Sequence, residues 1–143
     1  MKKSFGILLI LVALTAGINT NVKAQATPEE LMEAFFTIFN EDVNQAVDYL
    51  FATNQMIDPS QPGIKSIKER LELSRKLLGN YYGYELIDIY TAGDSYRKYV
   101  YSLKYERQPV KFIVVLYRPE TKWKVQNINF QDDIELDFKR VEE

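Results

Sequence analysis

Five residues in the second half of the chain have types and spacings suited to acid–base chemistry. Asp88 and Tyr90 belong to one segment of alternating side chains, and the next segment contributes three tyrosines, Tyr99, Tyr101 and Tyr105. Desolvation by apolar neighbours raises the pKa of a carboxyl group and makes its carboxylate a stronger base. The catalytic candidates are therefore Asp88, Tyr90 and Tyr99. In the competing interpretation the tyrosines are structural, with their hydroxyls at the edge of the core.

A second group of residues favours binding over catalysis. Lysines alternate with aromatic residues in the same segments, and the ligand-binding candidates are Tyr101, Tyr105, Trp123, Lys98 and Lys104. An anionic small molecule, a glycan stacked on an aromatic ring, or the acidic part of a second copy would fit such a surface. The competing interpretation is an ordinary solvated sheet face, on which Lys98 or Lys104 pairs with Asp88 and each ion pair contributes about 0–1 kcal/mol.

The chain contains no cysteine and no histidine. This absence excludes disulfides, thiolate metal sites and a cysteine nucleophile, and it removes the commonest general base and transition-metal ligand. The acidic residues Asp132, Asp133, Glu135 and Asp137 alternate between two faces and lack the glycine-centred loop of a calcium site. We therefore expect no metal and no cofactor.

Charge is distributed unevenly along the chain. Residues 27–60 contain seven acidic residues and no basic one, whereas residues 97–124 contain eight basic residues and only two acidic ones. The last 13 residues are acidic again. The expected molecule is strongly dipolar with an acidic net charge, which argues against a nucleic-acid partner.

The first residues have the pattern of an export signal. Lys2 and Lys3 precede an apolar stretch that is too short to span a bilayer, and Val22-Lys23-Ala24 provides a small-residue cleavage site. We expect cleavage after Ala24, with Ala26 as the alternative. Ile18 occupies the position that a lipidated cysteine would take, so the expected product is a periplasmic or extracellular domain, residues 25–143, without a lipid anchor or membrane span.

Three helices are predicted in the first half of this domain. Thr27, Pro28 and Glu30 form a capping box with proline at the first helical position, and the helix they start runs to about residue 40. A second helix over about 42–51 begins after Asn40 or Glu41 as its cap. A loop over 52–63 then leads to a third helix over 64–78, which ends at Gly79-Asn80.

Beyond residue 80 the apolar period changes from 3.6 to 2, which predicts antiparallel strands. The first strand covers 84–90 and places four side chains on one face: Tyr84, Leu86, Asp88 and Tyr90. A meander of three strands follows over 96–130, and Val110–Tyr117 is expected at its centre because both of its faces are apolar. Residues 134–138 alternate again and predict an extra strand.

This order of elements, with the 78–87 junction and the Tyr117-Arg118-Pro119 … Trp123-Lys124-Val125 hairpin, resembles the NTF2-like, cystatin-like α+β superfamily and its small exported bacterial members. The resemblance implies three helices packed on one face of a curved, mostly antiparallel sheet of four or more strands. It also implies a pocket between sheet and helices, and a homodimer through the sheet. Superfamily members that isomerise ketosteroids use a carboxylate base and a tyrosine that stabilises the oxyanion, roles that Asp88 and a tyrosine would take here.

Three functions are compatible with these observations. The first is a non-catalytic exported domain that binds a small molecule or an envelope or extracellular partner. The second is an isomerase or lyase that uses Asp88 and a tyrosine. The third is a structural or assembly protein whose sheet face is an interface.

Overall fold

The computed structural model describes residues 25–131, which form three helices followed by a curved, open sheet of four antiparallel strands. The predicted α+β class is confirmed. The export signal, the extra strand over 134–138 and the acidic cluster over 132–137 lie outside the described residues. The elements in chain order are α1 (Pro28–Glu41), α2 (Val43–Phe51), α3 (Pro62–Leu78), β1 (Tyr81–Ala92), β2 (Tyr96–Tyr105), β3 (Pro109–Tyr117) and β4 (Lys124–Gln131).

Helix α1 begins as the sequence predicts. The Glu30 backbone N–H donates to the Thr27 hydroxyl at 3.2 Å, and the Thr27 N–H donates to the Glu30 carboxylate at 2.7 Å, with Pro28 at the first helical position. These bonds satisfy two backbone donors that a helix start leaves without a partner. No helix within residues 25–131 has the length and apolarity needed to cross a membrane.

Asp42 joins α1 to α2. Its backbone N–H donates to the Ile38 carbonyl at 2.8 Å, which ends α1, and its side chain accepts from the Gln45 N–H at 2.9 Å, which caps α2. The predicted caps, Asn40 and Glu41, are therefore wrong. Both residues are still helical, and Asp42 is the one that adopts the extended backbone that a cap requires.

The strands follow one another in the sheet in the order β1-β2-β3-β4, so β2 and β3 are both interior. Helix α1 packs against one side of the sheet, here called the inner face, where Phe35 stacks on Phe112 with ring centroids 5.4 Å apart. Phe35, Phe39 and Phe112 are fully buried. The resemblance implied a pocket between the sheet and the helices. Where α1 crosses the sheet, buried phenylalanine side chains fill that space instead.

A β-bulge in β1 changes which residues share a face. Leu86 pairs with Tyr101, but Asp88 pairs with Val100 and Ile89 with Tyr99, so the register shifts at Ile87. Directly paired residues point to the same side of a sheet, and one extra residue reverses the alternation. Leu86 and Ile89 therefore lie on the inner face and Asp88 on the opposite, outer face. The prediction that Asp88 shares a face with Leu86 is wrong.

Candidate functional site

A cleft of about 1010 Å³ opens where the start of α1, the end of α2 and the β3–β4 hairpin meet. Leu31, Tyr49 and Trp123 supply its apolar and aromatic lining. Uncharged polar groups and two charges of each sign complete the lining: Gln25, Thr53, Gln55, Thr121, Glu30, Glu120, Lys122 and Lys124. This balance of aromatic and uncharged polar groups can hold a polar organic molecule by stacking and hydrogen bonding.

The back of the cleft is held by the α2–α3 loop. The Val125 backbone N–H donates to the Thr53 hydroxyl at 2.8 Å, and the Asn54 amide donates to the Val125 carbonyl at 2.9 Å. The Thr53 hydroxyl donates in turn to the Leu50 carbonyl at 2.6 Å. Thr53 and Asn54 thus make the main-chain bonds that a neighbouring strand would otherwise make to β4 at this point. They fix the distance between the end of α2 and the start of β4, which lie on two sides of the cleft.

Trp123 is the single tryptophan of the chain, and only 8% of it is exposed. The guanidinium carbon of Arg118 lies 4.8 Å from its ring centroid and that of Arg97 lies 5.3 Å away. Arg118 is itself held at the β1–β2 turn, because its guanidinium donates to the Asp94 carbonyl at 3.1 Å. The two cations favour a fixed orientation of the indole, which is therefore a rigid part of the cleft.

Next to Trp123, three side chains form a hydrogen-bonded cluster between α1 and β2. The Tyr99 hydroxyl donates to Glu29 Oε1 at 2.6 Å, and Arg97 Nη1 donates to the same oxygen at 3.0 Å. Burial raises the pKa of Glu29, but hydrogen bonds from Tyr99, the backbone and Arg97 outweigh it, so that the pKa lies below its ordinary value. Burial and the bond to Glu29 raise the pKa of Tyr99 to about 12.

These hydrogen bonds and pKa shifts indicate that the cluster holds helix α1 against strand β2 and does not transfer protons. Glu29 is ionised at neutral pH and is a weaker base than an ordinary glutamate, while Tyr99 stays protonated and donates. Sequence reasoning did not identify Glu29 or Arg97 as site residues. The sequence contains only part of the signal: Arg97 and Tyr99 alternate onto the same strand face, but no local pattern shows that the first turn of α1, with Glu29, packs against that face.

The catalytic candidates do not form one site. Tyr99 lies on the inner face and bonds to Glu29, whereas Asp88 lies on the outer face, where its carboxylate accepts from the Ile89 N–H at 2.8 Å. Tyr90 is also on the outer face, opposite Lys98. The bulge therefore separates Asp88 from Tyr99, whereas Tyr90 shares the outer face with Asp88, and neither of these two residues lines the cleft.

The ligand-binding candidates are likewise distributed over three places. Tyr101 and Tyr105 are buried in the core on the inner face, and Trp123 lines the cleft. Lys98 and Lys104 are on the outer face, with the Lys98 ammonium 4.2 Å from the centroid of the Tyr90 ring. The Lys104 ammonium is 3.2 Å from the carboxylate of Glu85, and this carboxylate takes the role that the sequence had suggested for Asp88.

Within residues 25–131, no three acidic residues come together in a way that could hold a metal ion. A second, smaller groove of about 480 Å³ between α2 and α3 is lined largely by charged side chains that include Lys65, Lys68 and Glu72. Lys68 also forms an ion pair with Asp48 of α2. This groove has no aromatic lining, so the cleft at Trp123 is the better candidate site.

In comparisons with known proteins, no protein-family model, curated protein or solved structure matches the chain.

Proposed function

We propose that the protein is a non-catalytic, exported binding domain and that its ligand occupies the cleft between α1, α2 and the β3–β4 hairpin. The observation that carries this proposal is the cleft itself, about 1010 Å³ in volume, with Trp123 held rigidly in its wall. Rigid walls favour binding because little freedom is lost when a ligand enters.

The lining favours an uncharged, polar ligand such as an oligosaccharide. The ring of Tyr49 is half-buried and therefore retains surface for stacking, and Gln55 and Thr121 can exchange hydrogen bonds with hydroxyl groups. Glu30 and Glu120 offset Lys122 and Lys124 in the same cleft, so the charges do not select a strongly anionic molecule. An anionic ligand is the outcome that would contradict this assignment.

Export and family membership form part of the same proposal. The order of three helices and an antiparallel meander is consistent with an NTF2-like domain, and the charged and apolar pattern of residues 1–24 supports release into the periplasm or outside the cell. Catalysis is the weaker alternative, because Asp88 and Tyr99 lie on opposite faces of the sheet, and Tyr90, which shares the face of Asp88, lies outside the cleft with it.

We also propose that the domain forms a homodimer through its sheet. The support is the exposed apolar surface at one side of the sheet, where Leu86 is 50% and Ile89 is 41% exposed. Exposed apolar clusters of this kind are typical of protein interfaces. This pairing is compatible with an assembly role, in which the sheet joins copies of the chain.

The binding proposal can be tested by thermal shift and by the fluorescence of Trp123. A panel of neutral oligosaccharides and a panel of organic anions are compared, and a molecule that binds only the folded state raises the unfolding midpoint. We expect the oligosaccharides to raise it and to change the Trp123 emission.

Two variants locate the binding site. Tyr49→Ala should abolish the shift, whereas Gln126→Ala, on the exposed part of β4 outside the cleft lining, should keep it. An equal response of both variants would contradict binding in the cleft, and a response to anions alone would contradict the ligand class.

A further inference from the structure

The exposed apolar residues of the described chain gather on β1. Of the nine large apolar side chains that are exposed within residues 25–131, five belong to this one strand: Tyr82, Tyr84, Leu86, Ile89 and Tyr90. Among the described residues, β1 is paired on one side only, with β2. Its other edge therefore presents main-chain donors and acceptors beside an apolar surface, which is the arrangement that accepts another strand.

The opposite edge of the sheet, strand β4, has a partly occupied main chain and polar exposed side chains. Val125 of β4 uses both its N–H and its carbonyl in bonds to Thr53 and Asn54 of the α2–α3 loop. The exposed side chains of β4 are glutamine and asparagine. One edge of the sheet is thus partly covered and polar, while the other combines an open edge with apolar side chains.

We propose that a second copy of the chain pairs antiparallel with β1 about a two-fold axis that places Ile87 opposite Asp88 of the second copy. This inference rests on the proposed homodimer and names its surface. In this register, Leu86 lies opposite Ile89 of the second copy, and Glu85 lies opposite Tyr90 of the second copy. The two sheets join into one of eight strands.

The bulge selects this register. Because of the extra residue at Ile87, Leu86 and Ile89 share the inner face although they are three positions apart. When the two-fold axis passes between Ile87 and Asp88, Leu86 of each copy lies opposite Ile89 of the other, so that inner-face residues meet on both sides of the bulge. A shift by one residue would set Leu86 opposite Asp88 or Tyr90, which are on the outer face.

Charge also fits a second copy in this register. Glu85 is paired with Lys104 of its own chain at 3.2 Å. The register brings Glu85 beside Tyr90 of the second copy. Within each copy, the ammonium of Lys98 lies 4.2 Å from the centroid of the Tyr90 ring, so this tyrosine brings the Lys98 of its own copy with it. Glu85 therefore has a cation from each copy nearby, an arrangement that favours pairing across strands.

Sedimentation equilibrium of the purified protein tests the surface. Leu86→Lys places a charge in the proposed interface, and Leu73→Lys is the matched control because Leu73 is 51% exposed on α3. We expect a dimer for the parent and for Leu73→Lys, and an increase of about 100-fold in the dimer dissociation constant for Leu86→Lys. Circular dichroism establishes that both variants are folded, and Ile89→Lys replaces Leu86→Lys if the latter does not fold.

The outcomes separate the two proposals. A parent that remains monomeric contradicts the homodimer and this interface together. A dimer that persists in folded Leu86→Lys and Ile89→Lys contradicts the interface alone and leaves the homodimer standing. Dissociation by Leu73→Lys as well would also contradict an interface confined to β1.

Disulfide trapping tests the register. Since the chain has no cysteine, single substitutions report one contact each. A mixture of Leu86→Cys and Ile89→Cys chains should give a disulfide-linked heterodimer, because these positions face each other. Each variant alone should stay unlinked, since two copies of the same position would be about 10 Å apart along the strands and too far for a disulfide. Efficient linkage of Leu86→Cys with itself would overturn the register.

Discussion

The Tyr99 hydroxyl donates a 2.6 Å hydrogen bond to Glu29 Oε1 and so joins the interior strand β2 to the first turn of α1, across 70 positions of sequence. Arg97 donates to the same oxygen at 3.0 Å and also contacts Trp123 in the wall of the cleft. The position of α1 on the sheet and the shape of the cleft therefore depend on one shared set of contacts.

Tyr99→Phe should lower the free energy of unfolding by about 1–2 kcal/mol, because it removes a hydrogen bond to a charged acceptor without creating a large cavity. Urea denaturation followed by circular dichroism measures the change. Tyr82→Phe is the control, since the ring of Tyr82 is largely exposed, and its effect should stay within about 0.5 kcal/mol. Equal effects of the two variants would contradict the docking role of Tyr99.

Glu29 should make the stability of the protein sensitive to acid. Its folded-state pKa lies below its ordinary value, so the folded state favours the carboxylate. The stabilisation is complete above the unfolded pKa of about 4.3 and is lost as pH falls through the lower, folded value. The difference in unfolding free energy between the parent and Glu29→Gln should therefore be larger at neutral pH than near pH 3.

The Tyr99→Phe background provides the control for this titration. Without the Tyr99 hydroxyl, one of the bonds that lowers the pKa of Glu29 is missing. The pH dependence of the Glu29→Gln effect should become shallower in this background. An unchanged dependence would show that Tyr99 does not hold the Glu29 carboxylate.

Four tyrosines should make the protein unfold at high pH. Burial raises the pKa of Tyr99 and of Tyr105 to about 12 each, and burial raises those of Tyr81 and Tyr101 further. The folded state favours the neutral phenols, so their contribution is complete below the unfolded pKa of about 10 and decreases as pH rises through the folded values.

Tyrosinate absorbance and circular dichroism, recorded together, check this expectation. A cooperative part of the absorbance rise should coincide with the loss of secondary structure above about pH 10. Tyr101→Phe should move this transition to higher pH, because it removes one group that must ionise in the core. A complete absorbance rise in a protein with native circular dichroism would contradict the assignment.

The helices and the strand order could be predicted because their signals are local. Thr27, Pro28 and Glu30 cap α1 through neighbouring backbone groups, and the change from a period of 3.6 to a period of 2 marks the start of the sheet. The face of Asp88 could not be predicted in this way. Ile87 and Ile89 are both apolar, so the sequence contains no break in pattern where the bulge inserts its extra residue.

The position of the cleft could not be predicted from local sequence patterns, for a different reason. Its walls come from 25–31, 49–55 and 119–124, and only packing in three dimensions brings them together. The sequence selected Trp123 as a binding candidate because of its type, but the two arginines around it come from β2 and from the residue that follows β3. The contact of Tyr99 with Glu29 is invisible to local patterns for the same reason.

Substitution of two glycines by alanine should change the free energy of unfolding in opposite directions. Gly79 ends α3 with a φ of 81°, and a Cβ there would lie 2.8 Å from the carboxylate of Glu106, which accepts from the Asn80 N–H at 3.2 Å. Gly79→Ala should lower the free energy of unfolding by about 2 kcal/mol, since it adds backbone strain and displaces that carboxylate.

Gly63 is the matched control, because it lies in the first turn of α3 and a Cβ there would meet nothing within 4 Å. Gly63→Ala should raise the free energy of unfolding by up to about 1 kcal/mol, because alanine restricts the unfolded chain and favours the helix. Urea midpoints of the two variants should thus lie on opposite sides of the parent. A neutral Gly79→Ala would mean that Glu106 moves without cost, and that the junction between α3 and β1 does not depend on its bond to Asn80.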